Sequence, residues 1–216
     1  MAVLLDYGKY YHIFNRGNNK EILFREDIDY LHFLSLYRTY IQPVTETISW
    51  CLMNNHFHFC VQIKERQEIG FLNPDDVFMK NNPIKWKYNH DQKNKKCFKP
   101  SPARQFAHLF NAYSKWYNFK YERTGSLFEK NYERKLISDE SYLSELVIYI
   151  NNNPVKHRIK SAAEKYFWSS ANGIIDNNDR FCNLTLLMKY LGDTDNFKFL
   201  LKKRNSQTGN WKDIEE

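Results

Sequence analysis

Glycine and proline are scarce in this sequence, at 7 and 6 of 216 residues. A collagen-like, mucin-like or low-complexity chain needs far more of either. No apolar run approaches the ~18–20 residues that span a bilayer. Met1 to Tyr10 shows no apolar core followed by a small-residue cleavage site. A cytoplasmic protein with no membrane segment is therefore expected. Cysteine is sparse as well. Cys51, Cys60, Cys97 and Cys182 form no C-x-x-C pair, which argues against a zinc ribbon or a thioredoxin-type motif. They read as reduced thiols that mostly fill core. Acidic residues are in deficit, 25 against 32 Lys and Arg, for a formal net charge of +7. Aromatics are what the chain has in quantity: 17% of residues, with 16 Phe, 15 Tyr and 5 Trp. That content suits a packed core in one elaborated domain and is too high for a disordered chain.

The basic excess favours a polyanionic partner, nucleic acid first. It is unevenly spread. Lys85, Lys87, Lys93, Lys95, Lys96 and Lys99 fall in one stretch opposed only by Asp91. A solvated loop would have the same composition. Residues 65–100 lack sustained periodicity and contain Pro74, Pro83 and Pro100, so they read as a long insertion loop.

Elsewhere the pattern is clearer. Tyr10 to Phe14 reads as a strand, ended by Asn15-Arg16-Gly17. Asp27 to Tyr40 has helical spacing at Ile28, Leu31, Leu34 or Phe33, and Tyr37, with Asp27 as a cap and Pro43 as a stop. Thr45 to Met53, with Ile48, Trp50 and Leu52 alternating, and His56 to Ile63 form a hairpin about Asn54-Asn55. Phe106, Leu109, Phe110, Tyr113, Trp116 and Tyr117 lie on one stripe of a helix ended by Gly125. Leu127 to Ile137 reads as a strand. Glu140 to Asn153 reads as a helix stopped by Pro154, and a short helix is expected near Leu184 to Leu191. The order predicts an α+β sandwich, an antiparallel sheet with helices packed on it.

Two features carry chemistry. In His56-Phe57-His58, residues i and i+2 of a strand share a face, so both imidazoles project together while Phe57 and Phe59 point into a core. Neutral imidazoles so placed can bind one divalent metal, although H-x-H is short and such histidines also serve in packing. In Tyr149-Ile150-Asn151-Asn152-Asn153-Pro154, Tyr149 and Asn153 share a helix face four residues apart. They offer a phenol as nucleophile and an amide carbonyl as a hard ligand. A core tyrosine with Asn153 as a carboxy-terminal cap is the competing reading.

Taken in order, several blocks carry a resemblance. They are Tyr11-His12-Ile13-Phe14-Asn15-Arg16-Gly17, Cys51-Leu52-Met53-Asn54-Asn55-His56-Phe57-His58, Gly125-Ser126-Leu127-Phe128, Tyr149 to Val155, and Phe167-Trp168-Ser169-Ser170. Over roughly residues 8–172 the chain resembles the HUH single-tyrosine transposases, most closely the REP-associated tyrosine transposases (IS200-like). The basic insertion and the segment after about 175 have no counterpart in that pattern. Two regions are expected accordingly, a catalytic domain over 1–175 and a C-terminal helical extension over 176–216.

The resemblance implies a ferredoxin-like sheet with helices on one face. It implies Tyr149 as the nucleophile, His56, His58 and Asn153 as ligands of Mg²⁺ or Mn²⁺, and single-stranded or hairpin DNA as the partner. Cleavage and rejoining would pass through a 5′-phosphotyrosine. Arg16, Lys85, Lys87, Lys93, Lys95, Lys96 and Arg104 are candidate DNA contacts. A homodimer, with the tyrosine serving its own site or a partner's, stays open. Three other activities also stay open: a transposase-derived DNA binder that no longer cuts, a metal-dependent nuclease with water as nucleophile, and an RNA-binding module.

Overall fold

The computed structural model describes residues 4–72, 97–129 and 131–206. Strands β1 (Tyr10–Arg16), β2 (Thr45–Leu52), β3 (His56–Ile63) and β4 (Glu133–Ile137) form one antiparallel sheet in the order β2-β3-β1-β4. Helices α1 (Asp27–Tyr40) and α2 (Pro102–Lys120) make the two crossovers, giving β-α-β-β-α-β. That order and sheet are those of the ferredoxin-like fold. α3 (Glu140–Lys156), α4 (Ala171–Ile175), α5 (Leu184–Leu191) and α6 (Thr194–Ser206) follow.

Strand alternation divides the interior in two. Tyr11 and Ile13 of β1, Trp50 and Leu52 of β2, and Phe57, Phe59, Val61 and Ile63 of β3 face α1 and α2. Phe33 and Tyr37 meet Phe106, Leu109, Phe110 and Tyr113 there in an aromatic core. Ile48, Cys51, Cys60 and Ile137 face the other way, onto Leu143, Leu146, Val147 and Ile150 of α3. α5 and α6 complete this second core with Leu187, Leu191, Phe197 and Leu201. Helices therefore cover both faces rather than one. The extra layer is the helix that carries the tyrosine, together with the C-terminal helices packed on it.

Several local expectations are revised. In α1 the buried apolar residues are Tyr30, Phe33, Leu34 and Tyr37, whereas Ile28 and Leu31 are about half exposed. The helix starts after Glu26, not Asp27, and Asp29 Oδ2 accepts from the backbone N–H groups of Arg25 and Glu26 (2.7 and 3.0 Å). In β2 the register shifts between Thr47 and Ser49, so Ile48 leaves the face of Trp50 and Leu52 and joins the opposite core. Such a bulge turns the following side chains over. Here it places Ser49 toward α3. β4 begins only at Glu133. α3 runs through Pro154 to Lys156. His157 N–H closes the last turn onto Asn153 O (2.9 Å).

β2 is an edge strand, and its outer side is covered. Leu52 N–H donates to Trp168 O and Ser170 N–H to Trp50 O, both at 2.9 Å. The Phe167–Ser170 block thus protects a sheet edge. At the ends of the insertion, Leu72 and Phe98 exchange both backbone bonds at 2.9 Å. Among the described residues, no helix is long and apolar enough to cross a membrane.

Candidate active site

The hairpin turn at Asn54-Asn55 closes with Met53 N–H donating to His56 O (2.8 Å). Neighbouring backbone holds it from outside. Gly17 N–H donates to Asn55 O (2.8 Å), and the Leu23 and Phe24 N–H groups donate to Asn54 O (2.7 and 2.9 Å). A side chain at position 17 would collide with the Glu21 carbonyl, so this close approach requires glycine. The first motif block and the hairpin block are thereby pinned to each other beside His56.

His56 and His58 project from the same face of β3, as strand alternation demands, with ring centroids 5.2 Å apart. They line a cavity of about 740 Å³ with Phe14, Arg16, Tyr149 and His157. Tyr149 descends onto this wall from α3. Its ring meets His58 edge-on at 5.5 Å and His12 at 6.3 Å. Lys156 Nζ lies 5.2 Å from the centre of the Tyr149 ring. Tyrosine and both histidines belong to one chain.

A buried polar network fixes the height of α3 over the sheet. Asn151 Nδ2 donates to Ser49 Oγ, and Ser170 Oγ donates to Asn151 Oδ1, both at 2.9 Å. Trp50 N–H donates to Ser170 Oγ (3.1 Å). Asn152 Nδ2 reaches Leu201 O on α6 (3.3 Å). The three consecutive asparagines thus have different tasks. Asn151 ties the helix to β2 and Asn152 ties it to α6. Asn153 is fully buried, donates from Nδ2 to Tyr149 O (3.1 Å), and leaves its Oδ1 without a hydrogen-bond partner.

Burial pushes the His12 imidazole down to about 3, with Lys135 adding to the effect. His58 is likewise held well below the usual imidazole range, first by burial and then by His12, His56, His157 and Lys156. Both are therefore neutral at pH 7, the form that ligates metals. His56 Nδ1 lies 2.8 Å from Asn55 Oδ1, and an amide oxygen only accepts. In a neutral ring this contact puts the proton on Nδ1.

Among the described residues, no group of three His, Cys, Asp or Glu is arranged to hold a metal. Of the donor set expected from the sequence, His56 and His58 line the cavity. Two imidazoles and the orphaned Asn153 Oδ1 make a borderline-to-hard set of the kind that suits a small divalent cation. Asn153 itself does not line the cavity, whereas His157 does, with its ring 5.1 Å from that of His56.

Arg16 lies opposite His56 in the β1–β3 register and lines the cavity. Its Nε pairs with Glu129 Oε1 at 2.7 Å, both groups being exposed. Arg104 is exposed on the first turn of α2, which packs on the opposite face of the sheet, so it is not brought to the cavity. Lys85, Lys87, Lys93, Lys95 and Lys96 lie outside the described residues. Lys99 donates to the Arg66 carbonyl. Sequence reasoning missed Lys20, Glu129, Glu133 and His157 in the cavity wall. His157 stands four residues after Asn153, but it caps α3 beyond Pro154, where the sequence predicts the helix to have stopped.

No family model matches the chain, and no curated protein matches its sequence. Two solved structures are similar. One is a bacterial tRNA(His) guanylyltransferase-like protein in complex with ATP. That match covers 98% of this chain and 75% of that one at 11% identity, but its TM-score of 0.40 is too low to carry an argument. The other is a REP-associated tyrosine transposase bound to a REP hairpin, with a TM-score of 0.54 and 11% identity over 82% of this chain and 84% of that one. With that transposase this chain shares its fold.

Proposed function

We propose that this chain cleaves and rejoins single-stranded or hairpin DNA through a covalent bond to Tyr149. The observation that carries the reading is the meeting of Tyr149 with His58 at 5.5 Å in a cavity also lined by His56 and Arg16. A purely binding protein has no need of a phenol buried against two neutral histidines. The fold shared with a tyrosine transposase supports the same reading.

In this reading the scissile phosphate sits in the cavity. Arg16 leaves Glu129 to pair with a phosphate oxygen. Tyr149 Oη attacks phosphorus in line with the 3′ oxygen. The Oη–P bond forms and the P–O3′ bond breaks. The phenol proton leaves to solvent, and the departing 3′ oxygen takes up a proton as a hydroxyl. The phosphotyrosine conserves the energy of the broken ester, so a 3′-hydroxyl can reverse the step and rejoin strands without ATP. His56 and His58 would hold the divalent cation, Mg²⁺ or Mn²⁺, and the buried Asn153 Oδ1 would have to turn into the cavity to serve as the third ligand. When bound, that cation supplies Lewis-acid stabilisation of the charge on the phosphate oxygens. Lys85, Lys87, Lys93, Lys95, Lys96 and Arg104 would hold flanking DNA.

The test is a labelled hairpin with a single-stranded flank, incubated with protein and Mn²⁺ and resolved under denaturing conditions. The parent should form a covalent protein–DNA adduct, and Tyr149→Phe should form none. His56→Ala and His58→Ala should lose cleavage while keeping most of the DNA affinity, which phosphate contacts elsewhere dominate. An adduct with Tyr149→Phe sinks the nucleophile assignment. Free ends without an adduct indicate a hydrolase, and binding without cleavage indicates a DNA binder.

A further inference from the structure

The two cavity histidines are held differently. His56 Nδ1 faces an amide oxygen, which can only accept a proton from it. His58 has no amide or carboxylate in that place. Its Nδ1 lies 2.9 Å from Nε2 of His12, a residue of β1 that is 1% exposed. The two rings lie nearly parallel, 24° apart, and Phe14 packs against both. His12 itself does not line the cavity.

Two neutral imidazoles joined nitrogen to nitrogen share one proton, so one ring donates and the other accepts. Which ring donates decides what His58 offers. If His12 donates, the His58 proton sits on Nε2, and that nitrogen cannot bind a cation. If His58 donates from Nδ1, its Nε2 carries the lone pair. His12 then keeps its own proton on Nδ1, a buried atom with no hydrogen-bond partner.

We propose that His12 is a positioning residue that accepts the His58 Nδ1 proton and so turns the His58 Nε2 lone pair toward a divalent cation. The inference rests on the reading above that His56 and His58 bind such a cation. It adds a residue that neither touches the cation nor reacts. His12 also couples the cation to a proton arrangement buried in the sheet. Loading the site selects the His58-donating arrangement and forces the His12 proton onto the unpartnered Nδ1. Carboxylates and backbone carbonyls commonly play this outer part for metal-bound histidines, and they can only accept. A histidine can do either, so here the arrangement depends on occupancy.

The test uses the DNA-free protein and Mn²⁺, followed by loss of the free-ion EPR signal. His12→Phe keeps a flat ring but removes the acceptor, and should weaken Mn²⁺ binding by about 10–100-fold. His12→Gln supplies an amide oxygen and should recover most of the loss. Long-range ¹⁵N–¹H spectra of the Mg²⁺-loaded parent should show His58 protonated on Nδ1. The spectra need no variant, so they decide the matter even if His12→Phe fails to fold. Mn²⁺ binding by His12→Phe equal to the parent's, His58 protonated on Nε2 in the loaded protein, or no Mn²⁺ binding by the parent would each overturn the inference. Its failure is separable from that of the function. A parent that forms the adduct while His12→Phe binds Mn²⁺ normally keeps the transposase reading alone. A parent that needs His12 for Mn²⁺ but never forms an adduct keeps the inference alone.

Discussion

His12 and His58 stay neutral because the sheet and α3 remove them from water, and that has a consequence for stability. In the unfolded chain each would take up a proton near pH 6.5. In the folded chain His12 does so only near 3, and His58 well below 6.5. Between those values the unfolded state binds more protons than the native one, so stability rises with pH across the window. The contribution is complete above about pH 6.5 and is lost as the pH falls toward 3. The metal-free protein should therefore lose on the order of 1 kcal/mol per pH unit on acidification from 6.5 to 5, where most carboxylates are still ionised. Urea denaturation at pH 7, 6 and 5 measures this. An unchanged midpoint would mean that water reaches the pair. Strand parity made the shared face of His56 and His58 legible in the sequence, but the His12 contact depends on β1 lying beside β3. Nothing local in Tyr10 to Arg16 states that partner.

At the scale of elements, α3 decides whether Tyr149 reaches the histidines, and its position rests on the polar network of Ser49, Asn151 and Ser170. All three are buried, and removing Asn151 leaves the serines their longer contacts, with each other at 3.3 Å and from Ser170 Oγ to Trp50 O at 3.2 Å, at a cost of about 1–3 kcal/mol. Asn151→Leu should lower stability by about that amount and slow adduct formation further, because the helix loses its register over β2. Thermal melts and single-turnover trapping, compared at a temperature where the variant is folded, separate the two effects. Equal trapping rates would show that apolar packing alone sets the helix. The hairpin that α3 covers was readable, since β3 runs from His56 to Ile63 as its alternation indicates. Three other elements were less legible, for physical reasons. α1 is apolar on more than one face, so spacing alone could not choose Tyr30 and Phe33 over Ile28 and Leu31. The β2 bulge breaks alternation by one residue and sends Ile48 to the other core. Pro154 falls in the last turn of α3, where little helix remains to be interrupted.

For the whole molecule, the sheet separates two surfaces that composition cannot distinguish. Arg16 stands on the cavity side beside His56, and Arg104 stands on the α2 side. Both contribute equally to a net charge of +7, and both were candidate DNA contacts in the sequence. In the proposed reaction a strand whose phosphate is attacked by Tyr149 would pass Arg16, whereas only flanking DNA that wraps around the edge of the sheet would meet Arg104. Each lost phosphate contact on single-stranded DNA lowers the slope of log affinity against log salt by about 0.7. Arg16→Gln should reduce the slope by about one such contact and also slow cleavage at saturating DNA, because in the proposed reaction its guanidinium pairs with the reacting phosphate. Arg104→Gln should change at most the slope and leave saturated cleavage at the parent rate. Salt titrations of binding, run beside single-turnover cleavage, give both quantities for each variant. Slowed cleavage at saturation in Arg104→Gln would mean that the DNA path crosses the sheet and reaches both faces. Parent-like cleavage in Arg16→Gln would mean that the Arg16–Glu129 pair stays closed over the phosphate and the arginine serves the fold alone.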